Sequence, residues 1–406
     1  MTVKKIPPIL GINNVSEDDV LEIGGNSPAL YLKDAVNVDL NETGKIYLRK
    51  SERQLTDLKY KNIWQSPLHK DVFATLDRQL VKLNTLDWSN EVLLENINPE
   101  YICFDVLNNQ VLISTLSDIF VFNGFKIEPL TIENPVSPIL LSQNEGGILG
   151  GGDYVVALSY SRNGKESGFS EHIKTHLKIS GNGDVLQGSI LIQMPYCLDS
   201  TITEVNVYCS TRNGSELRKY GSYPITTTQI TIDRVDQLGR SNQFINMSAM
   251  PSGKFMKYWQ GRLLTADKNI LRFSQAMTYH LHDERHDFIM LPQRISFILP
   301  VDEGIWIGQV DHVIFLSGIE PSEMIFIKKT AHSPIPFSAI EVDSDLIGGE
   351  ISQGGRRTAL WLSENGYVLG TSTGEIIELH SSKLQGITAK AGRSVRLGRR
   401  LITLVS

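Results

Sequence analysis

The sequence predicts an all-β protein: a β-propeller of five or six four-stranded blades with an immunoglobulin- or fibronectin-III-like β-sandwich inserted between two of them. Three observations predict it. Short runs rich in β-branched and aromatic residues recur in pairs across polar turns, the pairs repeat at 39 and 42 residues where the chain is uninterrupted, and helical i, i+3, i+4 periodicity is missing from these stretches.

The pairs are Val72 to Thr75 with Leu80 to Leu83, Val111 to Ser114 with Ile119 to Phe122, and Leu263 to Ala266 with Ile270 to Phe273. Ile305 to Ile307 with Val313 to Leu316, and Tyr367 to Leu369 with Ile376 to Leu379, follow. A run precedes each pair, at Ile63-Trp64, Ile102 to Phe104, Phe255 to Trp259, Ile295 to Leu299 and Ala359 to Leu362. Another run follows each, at Val92 to Leu94, Ile127 to Leu130, Phe288 to Leu291, Ile325 to Ile327 and Gly386 to Ala389. Four strands per unit at ~40 to 50 residues is the signature of propeller blades.

Val111 and Leu263 are 152 residues apart, and removing the 107 residues of Asn134 to Arg240 restores the period. That segment has its own strand-turn-strand rhythm: alternation over Tyr154 to Tyr160, tight turns at Asn163-Gly164 and Asn213-Gly214, and runs at Val205 to Cys209 and Gln229 to Asp233. About seven short strands in such a segment indicate a sandwich. The Gly146 to Gly152 run reads as a hinge into it, and the stretch around Pro334, Pro336 and Gly348-Gly349 as a long loop.

The chain thus divides into an extended arm (1–42), a first propeller part (43–133), the inserted sandwich (134–240) and a second propeller part with closing strands (241–406). Strand-like runs at Lys45 to Leu48 and Gln54 to Leu58, and at Ser394 to Leu397 and Leu401 to Val405, are expected to pair with one another and close the ring, which would remove exposed edges. The arm, with Pro7, Pro8 and Pro28 and few strand signals, is expected to lie on a neighbouring subunit.

The 406 residues carry a net charge of −6, which excludes a polycationic duplex binder. The distribution is uneven: Lys383, Lys390, Arg393, Arg396, Arg399 and Arg400 fall in the last 24 residues, which hold no acid. Two readings stand for Lys390, Arg393, Arg396, Arg399 and Arg400: they decorate the exposed faces of closing strands as solvated charge, or they contact DNA or a neighbouring subunit, and without interleaved aromatic residues any DNA contact would be to backbone phosphates and blind to sequence. Cys103, Cys197 and Cys209 form no C-x-x-C pair and are expected as reduced thiols. The apolar run after Lys4 and Lys5 is broken by Pro7 and Pro8, and no stretch reaches the ~18 apolar residues of a membrane span, so synthesis in the cytoplasm without targeting is expected.

No catalytic set can be assembled from these residues, and no enzyme activity, metal or cofactor is expected. Gly370-Thr371-Ser372-Thr373-Gly374 has the spacing of a hydrolase nucleophile elbow, but strands flank it on both sides where the elbow needs a helix, and a hairpin turn is expected. His280, His282 and His286, with Asp283 and Asp287, form the densest metal-capable cluster; a solvated loop is the competing reading, since no cysteine or second cluster supports a metal. Asp343 and Asp345 lack the acid a calcium loop needs at its twelfth position, which is Gly354.

Specific strings go further. Leu32-Lys33-Asp34-Ala35-Val36-Asn37-Val38-Asp39-Leu40, with Thr43-Gly44 and then Tyr47-Leu48-Arg49-Lys50, resembles the start of tail nozzle and hub proteins of short-tailed bacteriophages. Tyr154 to Tyr160 with Asn163 to Gly168, Tyr258 to Leu263, Val301 to Gly308 and Trp361 to Gly366 continue the resemblance over most of the chain. It implies a structural virion protein of the tail: a propeller forming a ring, typically of six copies, below the portal and its adaptor. The ring would meet tail fibre or spike proteins, retain packaged DNA and conduct it during ejection. The alternative is a soluble propeller binding a glycan or protein, or a propeller hydrolase. Sialidase-type propellers repeat a Ser-x-Asp-x-Gly turn, of which Ser363-Glu364-Asn365-Gly366 is a distant echo.

Overall fold

Tight turns fold each repeat back on itself. At Asn108-Asn109, Asn163-Gly164 and Gln260-Gly261 both central residues have positive φ, the geometry whose twist matches that of antiparallel strands. The apolar residues on either side then alternate between the two faces of a sheet. The computed structural model describes residues 7–25, 28–41, 43–49, 53–178, 188–242, 244–329, 331–343, 347, 355–398 and 400–406.

The protein is all-β, and its described residues include five four-stranded antiparallel sheets. The first comprises Lys61–Gln65, Val72–Leu76, Gln79–Leu83 and Asn90–Leu94; the second Cys103–Leu107, Gln110–Ser114, Ile119–Phe122 and Ile127–Pro129. The third comprises Phe255–Trp259, Arg262–Asp267, Ile270–Phe273 and Phe288–Met290; the fourth Phe297–Val301, Gly304–Gly308, Val313–Ser317 and Ile325–Lys329. These four follow the sequence pattern strand for strand.

The fifth sheet corrects it. Its strands are Ile340–Val342, Thr358–Ser363, Gly366–Gly370 and Ile376–Glu378, so its first strand comes from the stretch read as a long loop, and Gly386 to Ala389 forms no strand. The insertion between the first and second strands displaces the opening run beyond the usual spacing. Thr358 Oγ1 donates to the Val342 carbonyl (2.8 Å) and fastens the displaced strand.

Adjacent sheets share apolar layers. Phe73 and Leu80 of the first meet Phe104, Ile113 and Phe122 of the second, with Trp64 stacked on Phe104 at 5.2 Å. Leu107, Leu112 and Ile119 meet Met256 and Leu263 of the third; Leu264, Leu271 and Phe273 meet Ile298, Ile305 and Ile314 of the fourth. Phe297, Trp306 and Phe315 meet Trp361 and Val368 of the fifth. Each fully buried large side chain contributes about 1.5–3 kcal/mol relative to exposure.

Two sheets lie in the chain between the second and third of these. Ile139–Leu149, Gly188–Gln193 and Gln229–Ile232 form one; Gly152–Arg162, Lys165–Glu166, Ile173–Leu177, Glu204–Cys209 and Arg218–Pro224 form the other. Their apolar residues, among them Leu149, Ile190, Ile232, Val156, Leu158 and Val207, join one cluster. The glycine run is not a hinge into this segment. Gly150 and Gly151 carry the chain from one sheet to the other, and a Cβ on Gly147 would strike the Gly188 carbonyl.

The termini depart most from expectation. Ile46–Leu48 pairs with Val38–Leu40, Gly392–Leu397 pairs with Arg400–Val405, and Gln54 to Leu58 is not a strand, so the two ends do not share a sheet. Each end satisfies its backbone in a local hairpin, which needs no long-range closure. The arm is not structureless: Ile9–Ile12 runs parallel to Ala29–Leu32, which also pairs with Glu22–Ile23. Within the chain Asn14 exchanges hydrogen bonds with Gln385, and Lys383 Nζ donates to Tyr31 Oη (2.6 Å). Among the described residues no helix is long and apolar enough to cross a membrane.

Candidate functional site

The terminal hairpin stands between the fifth sheet and the first. Its Leu401 packs on Val342, Leu360 and Leu369, while Ser394 Oγ donates to the Ser338 carbonyl and lies 2.8 Å from Thr403 Oγ1, itself 2.7 Å from Tyr367 Oη. From its first strand Arg393 reaches the other way and donates to Asn62 Oδ1 of the first sheet (3.2 Å).

Around Arg393 the opening strands of several sheets converge. Phe337 receives the Arg393 guanidinium at 4.9 Å and Lys254 Nζ at 5.0 Å from its ring centroid, and Lys254 also lies 5.6 Å from Tyr101. Such cation–ring contacts are stronger where water is scarce. Burial lowers the Arg393 pKa, although it remains charged at any ordinary pH. Burial likewise pushes the Cys103 thiol up, against the pull of Lys257. Burial disfavours the Lys257 ammonium, but Asp105, Cys103 and Glu341 outweigh it and the pKa rises. Asp105 Oδ2 accepts from the Tyr258 amide at 2.6 Å and so bridges the opening strands of the second and third sheets. The result is a mixed-charge junction.

The five bases read as solvated charge or as contacts to DNA or a neighbour therefore have different roles. Arg393 is held in this junction, and Arg396 donates to Asp343 Oδ2 (2.6 Å) and the Gly398 carbonyl (3.0 Å). Lys390 and Arg400 are exposed, and neither side chain has a hydrogen bond or ion pair among the described residues. Arg399 lies outside the described residues. Sequence reasoning missed Lys254, Lys257, Asp105 and Phe337, which come from separate parts of the chain and meet only in three dimensions; Lys257 lies within, and Lys254 and Asp105 next to, the opening runs of two repeats, which was the available signal, whereas Phe337 sits in the stretch read as a long loop.

The histidine cluster does not come together as a ligand set. His280 is buried with Nε2 3.0 Å from the Glu166 carbonyl, His282 Nδ1 is 3.2 Å from the Phe273 carbonyl, and His286 is exposed. Burial holds the His280 pKa down to about 4 and lowers that of His282. Asp283 is taken by Arg285 (2.9 Å), and Asp287 accepts from Gln275 and the Asp283 amide. Among the described residues no three His, Cys, Asp or Glu side chains gather around a metal-sized space.

Thr371 to Gly374 forms the turn between two strands of the fifth sheet, and the buried Ser372 hydroxyl has no hydrogen-bond partner among the described residues, where a nucleophile elbow would set a base beside it. Asp343 is engaged by Arg396, and Asp345, Gly348, Gly349 and Gly354 lie outside the described residues.

A second polar centre escaped the sequence reading. Glu166 Oε1 accepts from Ser159, Asn206 (2.9 Å), Tyr208 (2.7 Å) and Asn242 (3.4 Å), at the wall of an open cavity of about 670 Å³ also lined by Lys219, Tyr220, Arg240 and Phe244. Burial, reinforced by the adjacent carboxylate, pushes the Tyr208 phenol up and keeps it a donor.

No family model matches the chain, and no curated protein does. Among solved structures it is similar to BBS1N in its complex with ARL6DN, at 11% identity and a TM-score of 0.33 over 86% of this chain and 90% of that one. It is similar to Sqt1 of Saccharomyces cerevisiae at 9% identity and a TM-score of 0.32, over 84% and 77% of the two chains. For the N-terminal domain of Nup159 the values are 9% and 0.30, over 85% and 72%. Likeness of this strength assigns no function to the chain.

Proposed function

We propose that the five sheets and the terminal hairpin close around an axis as a β-propeller, that the segment between the second and third sheets is an inserted β-sandwich, and that the protein is a structural subunit of a short-tailed phage tail. In this reading it forms a homo-oligomeric ring, a nozzle or hub below the portal and adaptor, which retains packaged DNA and conducts it during ejection. The observation that carries the reading is the packing of successive sheets in chain order, completed by the Arg393–Asn62 hydrogen bond that brings the last hairpin to the first sheet. Such a disc is rigid and can present different loops to different partners. The resemblance of Leu32 to Lys50, Tyr258 to Leu263 and Val301 to Gly308 supplies the tail context. A net charge of −6 suits a conduit that must not grip phosphates.

The test is the mass of the purified protein by light scattering, and its particles by electron microscopy, alone and with portal-adaptor complexes. A six-fold ring, free or templated by the adaptor, is the expected result; a monomer that never engages the adaptor refutes it. The cavity beside Glu166 favours one second reading, a soluble propeller that binds a glycan, and a glycan screen with Glu166→Gln as control distinguishes it.

A further inference from the structure

A cavity of about 410 Å³ lies where the fourth and fifth sheets meet, and its polar lining is Asp311, His312, Lys328, Lys329, His332 and Glu378. Asp311 and His312 stand in the turn between Gly304–Gly308 and Val313–Ser317, Lys328 and Lys329 close the last strand of the fourth sheet, and Glu378 closes the last strand of the fifth. The size suits a small molecule. His312 is fixed in the wall: its Nδ1 hydrogen-bonds Asp311 Oδ1, and Asp311 Oδ2 accepts from Gln293 Nε2 (3.1 Å). The His312 side chain is only 7% exposed, yet its Nε2 has no hydrogen-bond partner among the described residues. Nearly all buried polar atoms are paired, and an orphan on a cavity wall points to a guest.

The neighbours decide the chemistry of that guest. With Asp311 accepting at Nδ1, His312 offers a lone pair at Nε2 when neutral and a donor when protonated. Lys328 is exposed and Lys329 half-buried, and neither has a hydrogen bond or ion pair among the described residues. The Asp311 carboxyl is held below its usual range first by His312 and Gln293 and also by the charge of Lys328, so that lysine acts on the same pair. His332 is already engaged: Nδ1 is 3.2 Å from Glu364 Oε1, and Nε2 is 2.8 Å from Asn365 Nδ2 and 3.8 Å from Glu378 Oε1. The free donors are therefore Lys328, Lys329 and protonated His312, opposed by Glu378, while Asp311 is turned to His312 and Gln293. A metal ion would meet the two lysines, and among the described residues no three ligands gather for it. Three charge-assisted donors suit an anion with several acceptor oxygens.

We propose that this cavity binds the phosphate group of a small phosphate monoester, with Lys328 and Lys329 supplying charge and the His312 imidazolium donating from Nε2 while Asp311 accepts from Nδ1. The site needs neither the ring nor the glycan reading and stands or falls apart from them. Its signature is a proton. A dianion beside His312 favours the charged ring, so binding draws a proton from the buffer onto Nε2, and affinity and protonation are linked.

The experiment is isothermal titration of the full-length protein, just above neutral pH, with glycerol 3-phosphate, with inorganic sulfate as a dianion that does not itself titrate there, and with acetate as a monoanion. Each titration is run in two buffers of different ionisation enthalpy, which reads the protons exchanged. The expected result is that both dianions bind, acetate binds at least about tenfold more weakly, and sulfate binding takes up as much as about one proton. Lys328→Ser, on an exposed side chain whose loss leaves the circular dichroism unchanged, should weaken sulfate about tenfold and keep the proton uptake, whereas His312→Asn should abolish the uptake. Should His312→Asn fail to fold, Lys328→Ser and Lys329→Ser carry the test. A parent that binds neither dianion, binds acetate as well as sulfate, or binds sulfate with no proton uptake overturns the proposal. Sulfate binding unchanged in both lysine variants also overturns it, and sulfate that binds where glycerol 3-phosphate does not overturns the ester.

Discussion

Arg162 clamps the inserted segment to the second four-stranded sheet, and its removal should loosen that segment selectively. Its side chain is buried; Nη2 donates to the carbonyls of Pro129 and Thr131, both at 2.7 Å, and Nη1 to Thr201 Oγ1 at 2.6 Å with Asp199 at 3.4 Å. Arg162→Leu leaves two carbonyls and a hydroxyl without their charged donor. Each buried acceptor stripped of its charged donor costs about 1–3 kcal/mol, so the three together come to about 3 kcal/mol or more. The assay is labelling of Cys209, a fully buried thiol in the core of the inserted segment, quantified by mass spectrometry in mild urea. At about 1.4 kcal/mol per factor of ten, opening should rise at least a hundredfold. The five tryptophans, Trp64, Trp88, Trp259, Trp306 and Trp361, all lie outside that segment, so their emission should shift little at the same urea concentration. A rise below fivefold, or equal loss of tryptophan signal, refutes the clamp.

Other outcomes follow from single contacts. Burial holds the His280 pKa at about 4 against an unfolded value of 6.5, so the unfolded chain binds the extra proton between those values; stability should be full above about pH 6.5 and fall toward pH 4 by on the order of 3 kcal/mol, and His280→Gln should flatten this slope in urea titrations. Gly370→Ala places a Cβ 2.5 Å from the Trp306 ring, which also donates to the Thr371 carbonyl; overpacking should cost about 1–3 kcal/mol, read as a lowered Tm with altered tryptophan emission. Arg393→Ser should lower the Tm by removing the Asn62 bond and the Phe337 contact, whereas Arg400→Ser should change stability by less than about 0.5 kcal/mol while weakening retention of DNA or a neighbour in particle assays.

The first four sheets were legible because every strand in them is bounded by a turn residue and alternates in register with its neighbour. The fifth was legible only in part. Ile340–Val342 is three residues long and separated in the sequence from Thr358–Ser363 by fifteen residues, so periodicity gave it no weight. Pairing between the ends failed for a related reason: strand propensity says that Ile46–Leu48 and Arg400–Val405 are strands, but the choice of partner is a tertiary matter. At the candidate sites the exposed charges of the last segment were visible, while the division of labour among them was not. That Arg396 meets Asp343 and Arg393 meets Asn62 depends on contacts between residues 53 and 331 positions apart. The Glu166 centre was hidden by composition, since serine, asparagine and tyrosine in strands look like ordinary surface until their side chains share one oxygen.

The interruption between the second and third sheets sets a schedule for the nascent chain. Leu107, Leu112 and Ile119 need Met256 and Leu263 to cover them, yet those partners lie beyond the whole inserted segment. At ~5–20 residues per second a ribosome takes roughly 7–29 s to deliver them, and through that interval an apolar sheet face waits in water. The inserted segment, whose cluster closes on its own residues apart from Ile132, can fold during the wait. A chain delayed there would expose the face to other nascent chains, making the second sheet the place where chaperone demand during synthesis should concentrate.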